Sequence, residues 1–124
     1  MSPQPFVLLY VAQPQASADF YARVLGRPAV ESSPTFALFA LEGGTMLGLW
    51  QRATVAPAPS GAPGAGELAF ALDSDAEVDA AHARWRELGL PIAQAPTRMD
   101  FGYTWVGVDP DGHRLRAFAP AERG

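Results

Sequence analysis

The tetrapeptide Leu25-Gly26-Arg27-Pro28 returns 63 residues later as Leu88-Gly89-Leu90-Pro91. In both places a run of helically spaced apolar residues ends at a glycine, and a proline follows two residues on. Glycine closes a helix because it enters the left-handed conformation without steric penalty, and the proline prevents the helix from resuming. Ahead of the first mark, Phe20, Tyr21, Val24 and Leu25 supply the apolar stripe, and Pro14 suits a first helical turn. Ahead of the second, Val78, Ala81, Trp85 and Leu88 supply it, and Ser74 with Glu77 forms a capping box.

Working outward, each helix is framed by strands in the same order. Residues 6–12 (FVLLYVA) are apolar on both faces and predict a strand covered on both sides. Strands are predicted after the first helix at 29–31, 35–41 and 45–50, with Glu42-Gly43-Gly44 turning between the last two. Residues 67–73 (ELAFALD) open the second set, which continues at 91–94, 103–108 and 113–118, with Asp109-Pro110-Asp111-Gly112 as the final turn. The first strands of the two sets match at an offset of about 61. Residues 52–66 carry three prolines and three glycines without periodicity and read as a linker. The expected architecture is therefore α+β, two βαβββ repeats in one domain over 1–124: a first half at 5–51, the linker at 52–66 and a second half at 67–120. One helix covers only one face of its sheet. The opposite faces, also apolar, are expected to be curved mixed sheets enclosing a pocket.

Composition narrows the function. Apolar residues make up 48% of 124, enough for a core that needs no disulfide or metal, and there is no cysteine. Thiolate catalysis and cysteine-based zinc sites are thereby excluded. Net charge is −4, the isoelectric point is near 5.0 and no basic run exists, so nucleic acid is not an expected partner. Charged residues reach only 18%, which points to apolar surface that lines a cavity or is covered by a partner chain. The start, Met1-Ser2-Pro3-Gln4-Pro5, has neither a basic segment nor a long apolar run, so no signal peptide or membrane span is expected and the default location is cytoplasmic.

The helix Ala18-Asp19-Phe20-Tyr21…Val24-Leu25-Gly26 and the closing Asp109-Pro110-Asp111-Gly112-His113, in this order and at this spacing, resemble the glyoxalase, bleomycin-resistance and extradiol-dioxygenase superfamily, also called vicinal oxygen chelate proteins. The resemblance runs from residue 6 to residue 120. It implies the fold more strongly than any one chemistry, because this fold hosts many functions. Enzymatic members hold a divalent metal with His, Gln or Glu from four strands. The matching positions here are Phe6, Gly48, Glu67 and Arg116. Phe6 and Gly48 have no side-chain donor atom, and Arg116 is a permanent cation. The expectation is no metal and no other cofactor.

Within the superfamily the resemblance is nearest to metal-free antibiotic-binding members of the phenazine-resistance type, through Leu47-Gly48-Leu49-Trp50 and the ending Asp109 to Arg116. It implies binding and sequestration of a small planar aromatic compound by a homodimer whose pockets draw on both chains. The alternative is a metal-dependent lyase, isomerase or dioxygenase, and a third reading is a regulatory or scaffold domain with a vestigial pocket.

Alternation along strands then nominates the lining. With Phe6 go Leu8 and Tyr10; with Gly48 goes Trp50; with Glu67 go Ala69 and Ala71; with Arg116 goes Phe118. Tyr103 and Trp105, on the seventh strand, are candidates to join the wall. Trp50 is read as a stacking platform or as ordinary core. Glu67 and Arg116 either pair with each other or grip a polar group of the ligand. Trp85 is read as helix packing, and His82, His113 and Asp100 as structural or solvated. No nucleophile–base pair and no phosphate-binding glycine loop is visible.

Overall fold

Both repeated marks close helices as expected. In a computed structural model, which describes residues 4–121, α1 runs Pro14–Leu25 and α2 runs Asp75–Glu87. Gly26 caps α1 at φ 71°, its N–H donating to the Ala22 carbonyl at 2.9 Å. Gly89 follows α2 at φ 81°, where its N–H donates to Arg86 and that of Leu90 to Trp85. A positive φ is the conformation that excludes side chains, so glycine at both marks is required by the backbone. The capping box is present. The Ser74 hydroxyl accepts from the Glu77 N–H at 3.2 Å, and the Glu77 carboxylate accepts from the Asp73 N–H at 2.9 Å. Met1, Ser2 and Pro3, part of the N-terminal reading above, lie outside the described residues.

The chain divides into two compact units, residues 1–62 and 63–124. In the first, β1 (Phe6–Val11), β2 (Glu31–Ser32), β3 (Phe36–Ala40) and β4 (Met46–Gln51) form an open sheet in the order β1-β4-β3-β2. In the second, β5 (Glu67–Ala71), β6 (Ile92–Met99), β7 (Gly102–Val108) and β8 (Arg114–Pro120) form one in the order β5-β8-β7-β6. The first strand of each set pairs in parallel with the last, and the other pairings are antiparallel. Each sheet is therefore mixed, and each unit has the βαβββ order that the duplicated sequence predicts.

The core of each unit lies between its helix and one sheet face. In the first, Val11, Leu47, Leu49 and Phe39 are fully buried with Tyr21 of α1. In the second, Leu115 and Trp105 are buried with Val78 of α2. Fully burying one such aliphatic or aromatic side chain is worth about 1.5–3 kcal/mol.

Three expectations are corrected. β1 is not covered on both sides: Phe6 and Leu8 are 51% and 42% exposed, on the face turned from α1. β2 is a two-residue strand at Glu31–Ser32 rather than 29–31. Its flanks bond β3 through the Val30 N–H to Leu38, the Ser33 N–H to Phe36, and the Ser33 hydroxyl, which donates to the Phe36 carbonyl and accepts from its N–H. β6 does not end at 94 but continues to Met99, with register shifts between Ile92 and Gln94 and between Gln94 and Thr97. Pro96 hid this extension, yet β6 is an edge strand, where a missing N–H leaves no ladder partner unbonded. Consequently Arg98 and Met99 lie in a strand, and only Asp100 and Phe101 make the turn to β7.

Candidate functional site

On the sheet face turned from α1, register aligns side chains into rungs across β1, β4 and β3. Phe6, Met46 and Ala40 form the first, Leu8, Gly48 and Leu38 the second, and Tyr10, Trp50 and Phe36 the third. The third rung is wholly aromatic. The Tyr10 and Trp50 rings meet edge to face with centroids 6.2 Å apart, a favoured geometry for aromatic pairs. Trp50 is half-buried, unlike Trp85 and Trp105, which are 6% and 0% exposed in the second unit. No room is left at Gly48: a Cβ there would lie 2.7 Å from Leu8 Cδ2 and 2.8 Å from Phe36 Cζ. Gly48 thus lets its own sheet-mates pack across the middle of this face.

In the second unit Arg116 of β8 occupies the face turned from α2, between Ala69 of β5 and Val106 of β7. Its Nε donates to Glu67 Oε1 at 2.6 Å, and its Nη1 donates to Thr104 Oγ1 at 3.1 Å and Gln94 Oε1 at 3.3 Å. These acceptors are themselves oriented. The Thr104 hydroxyl donates to the Ala117 carbonyl at 2.9 Å, and the Gln94 amide nitrogen donates to Met99 Sδ at 3.5 Å. The guanidinium carbon lies 5.6 Å from the Phe101 ring centroid, within cation–π range, and Phe101 meets Phe118 edge to face at 5.9 Å. Arg116 is thereby held in place from three strands and the β6–β7 turn. The second Glu67 oxygen, Oε2, lies 3.6 Å from Arg114 Nε, so one carboxylate faces two guanidinium groups.

The expected Glu67–Arg116 pair is therefore present, while two candidates on β7 face elsewhere. Pairing of Val106 with Arg116 and of Thr104 with Phe118 puts Thr104 and Val106 on the Arg116 face. Tyr103 and Trp105 fall on the opposite face, against α2. Trp105 Nε1 donates to the Val78 carbonyl at 3.0 Å, and its ring meets Trp85 edge to face at 4.6 Å and His82 at 5.6 Å. The Tyr103 hydroxyl donates to Asp79 at 2.7 Å. That bond, together with burial and the charges of Asp79 and Asp75, raises its pKa above the ordinary 10.0 against the opposing Arg98. These residues fasten β7 to α2 and are withdrawn as ligand contacts.

Gln94, Phe101 and Thr104, missed in the sequence, are the side chains that hold Arg116. Thr104 was recoverable from the parity of β7 once the length of the turn after Val108 was known, and Gln94 and Phe101 only from the irregular β6–β7 pairing. His113 proves structural at its backbone: the buried Asp109 carboxylate accepts from the N–H groups of Asp111 and His113 at 2.9 and 2.8 Å, closing the turn.

The four positions that would hold the superfamily's divalent ion do not make a metal site. Phe6 and Gly48 bring no donor atom, and Arg116 places a cation where a ligand would stand. Glu67, the one carboxylate, is engaged by two arginines. Among the described residues, no three His, Asp or Glu side chains group to hold a metal, and no helix is long and apolar enough to cross a membrane.

Comparison with known proteins agrees with this architecture. A protein of Agrobacterium tumefaciens, ATC0852, whose solution structure is known, is 50% identical, with a TM-score of 0.88 over 98% of this chain and all of that one. A glyoxalase/bleomycin resistance protein/dioxygenase from Nocardioides is 27% identical, with a TM-score of 0.81 over 100% of this chain and 87% of that one. The phenazine antibiotic resistance protein EhpR of Enterobacter agglomerans is 26% identical over 112 residues, 88% of this chain and 85% of that protein. Residues 4–117 match a single family along nearly the whole length, and the chain belongs to the glyoxalase/bleomycin resistance protein/dioxygenase superfamily.

Proposed function

We propose that this protein binds a small planar aromatic compound by stacking and holds it unaltered, as a binding-type resistance protein does. The observation that carries this reading is the aromatic rung Tyr10–Trp50–Phe36 on the sheet face turned from α1. A flat ligand gains most from such a surface, because rigid aromatic side chains offer large apolar area at little conformational cost. Two further facts support it. The positions used for metal chemistry in the superfamily carry an aromatic, a glycine and a salt-bridged pair, and the chain is similar along most of its length to a phenazine resistance protein. The ligand-binding residues we assign on this face are Phe6, Tyr10 and Trp50.

Equilibrium dialysis of chelator-treated protein against phenazine, with absorbance-corrected tryptophan fluorescence as a second signal, tests the reading. Saturable micromolar binding is expected, and Trp50→Ala should weaken it by about 30-fold, the scale on which a central tryptophan contributes to binding. Dialysis keeps the test valid when the variant removes the reporting tryptophan. Absence of saturable binding by phenazine and by its substituted forms would sink the proposal.

A further inference from the structure

β1 and β4 run in parallel and stop side by side, with Val11 opposite Gln51. Beyond them the chain leaves the sheet in two directions. Ala12 leads into α1, and Arg52–Thr54 makes one 3₁₀ turn. The Thr54 hydroxyl donates to the Gln51 carbonyl at 3.0 Å, and the Val55 N–H donates to the Arg52 carbonyl at 3.3 Å. Val55 is buried and anchors the turn. Arg52 Nη2 then donates to the Gly61 carbonyl at 2.8 Å, which closes residues 52–61 into a loop. An open cavity of about 520 Å³ results, lined by Ala12, Arg52, Ala53, Val55, Ala58 and Pro59. All six lie in the first unit, so the cavity is complete within it.

This volume falls in the range of small-molecule sites. Five of the lining residues are small and apolar, and Arg52 is the only charged one. Arg27, Arg98, Arg114 and Arg116 are ion-paired, whereas Arg52 makes no ion pair with any described residue. The helix that starts just after Ala12 has no acidic residue in its first turn to offset the charge. The bond to Gly61 holds the Arg52 side chain at the cavity and uses one guanidinium N–H of five, which leaves enough donors for a two-point contact. A wall of apolar groups around one positive charge calls for a ligand with one negative charge and an apolar body.

We infer that this cavity binds a small monocarboxylic acid, its carboxylate on the Arg52 fork and its apolar body against Ala12, Ala53, Val55, Ala58 and Pro59. The carboxylate matches the planar fork with two parallel N–H···O bonds, and such charge-assisted bonds are about twice as strong as neutral ones. A phosphate dianion would be only half balanced by the single cation. The site uses neither the aromatic rung nor the positions that hold metal elsewhere in the superfamily, so it goes beyond the function proposed above and stands or falls separately.

The test is a backbone-amide NMR titration of the whole chain at neutral pH with cyclohexanecarboxylate, and in parallel with cyclohexanecarboxamide and with inorganic phosphate. The cyclohexyl ring is not flat, which keeps the probe from stacking as a planar aromatic does. Saturable shifts are expected at Ala12, Ala53, Val55, Ala58 and Gly61, with the acid binding about 10-fold more tightly than the amide, the margin of a charge-assisted over a neutral hydrogen bond. Arg52→Gln should bring the two to within about twofold by weakening the acid alone, and Arg52→Lys should recover only part of the preference, because an ammonium lacks the fork. Ala58→Leu, which fills the cavity while keeping Arg52, should weaken acid and amide alike. Equal binding of acid and amide by the wild type would overturn the inference, as would phosphate binding as tightly as the acid at the same amides. Shifts centred on Tyr10 and Trp50 would place the probe on the aromatic rung and overturn the assignment to this cavity. Shifts still linear at about 20 mM acid would show that no site is built here. The dispersion of the same spectra reports whether Arg52→Gln folds; if it does not, the wild-type ratio and Ala58→Leu decide.

Discussion

Two glycines in strands show how differently the same residue type can be required. Gly102 opens β7 at φ 150°, and a Cβ there would sit 2.0 Å from the Ala119 carbonyl oxygen and 2.9 Å from its carbon. Both are backbone atoms of the paired strand, so nothing can rotate away. Gly48 has no unusual φ, and the atoms a Cβ would meet are the far ends of Leu8 and Phe36, which can turn aside. Gly102→Ala is therefore expected to lower unfolding free energy by about 2 kcal/mol or more, and Gly48→Ala by clearly less, in urea denaturation. Equal losses would mean that the two strands yield alike. Because Phe36 belongs to the Tyr10–Trp50–Phe36 rung and Leu8 to the rung beside it, Gly48→Ala should also weaken phenazine binding, whereas a folded protein with unchanged affinity would place that ligand elsewhere.

At the scale of elements, α2 is fastened to β7 by an aromatic core and an exposed polar fringe. Trp105 and Trp85 supply the core. The fringe is the Tyr103–Asp79 hydrogen bond, the Arg98–Asp75 ion pair and Arg98 stacked 5.0 Å from the Tyr103 ring. The raised pKa of Tyr103 gives the fringe a pH signature. Folding favours its neutral form, so this stabilisation is complete below the ordinary 10.0 and fades as pH climbs through the higher folded value. Absorbance titration near 295 nm should show one tyrosine ionising late, and Tyr103→Phe should remove that late phase. A titration unchanged by the substitution would show that the hydrogen bond does not persist in solution. The seventh strand was also where alternation alone stopped short. Within β7 it says that Tyr103 and Trp105 share a face and that Thr104 and Val106 share the other, but not which face meets the helix. That depends on the turn from β7 to β8, where Val108 pairs with Arg114 and the Asp109 N–H donates to His113 at 2.9 Å. A turn one residue longer on one side would exchange the faces. Asp109-Pro110-Asp111-Gly112 announces a turn without fixing that count.

For the whole molecule the open question is what covers the apolar surface. Phe6, Leu8, Met99 and Phe101 are 51%, 42%, 41% and 44% exposed in a chain with only 18% charged residues. A homodimer, which the resemblance in sequence implies, would bury such surface. Sedimentation velocity at tens of micromolar is expected to give about twice the 13.2 kDa chain mass, and Leu8→Glu to shift the species toward one chain. A wild-type protein sedimenting at 13.2 kDa would overturn the homodimer expectation.

The sequence by itself determined the order of elements, the duplication, the glycine marks that end both helices, and a donor set unsuited to a divalent ion. All of these are local: they depend on residue chemistry, on periods of 3.6 and 2, and on φ values that glycine alone accepts. Only the tertiary structure decided that Trp105 and Tyr103 serve the helix interface and that Leu8 and Phe36 fill the space beside Gly48. It alone showed that Arg116 is braced by Glu67, Thr104 and Gln94 with Nη2 left over. Those outcomes turn on strand register between residues up to 49 positions apart. Register is set by how paired strands bury their faces together, which no single segment encodes.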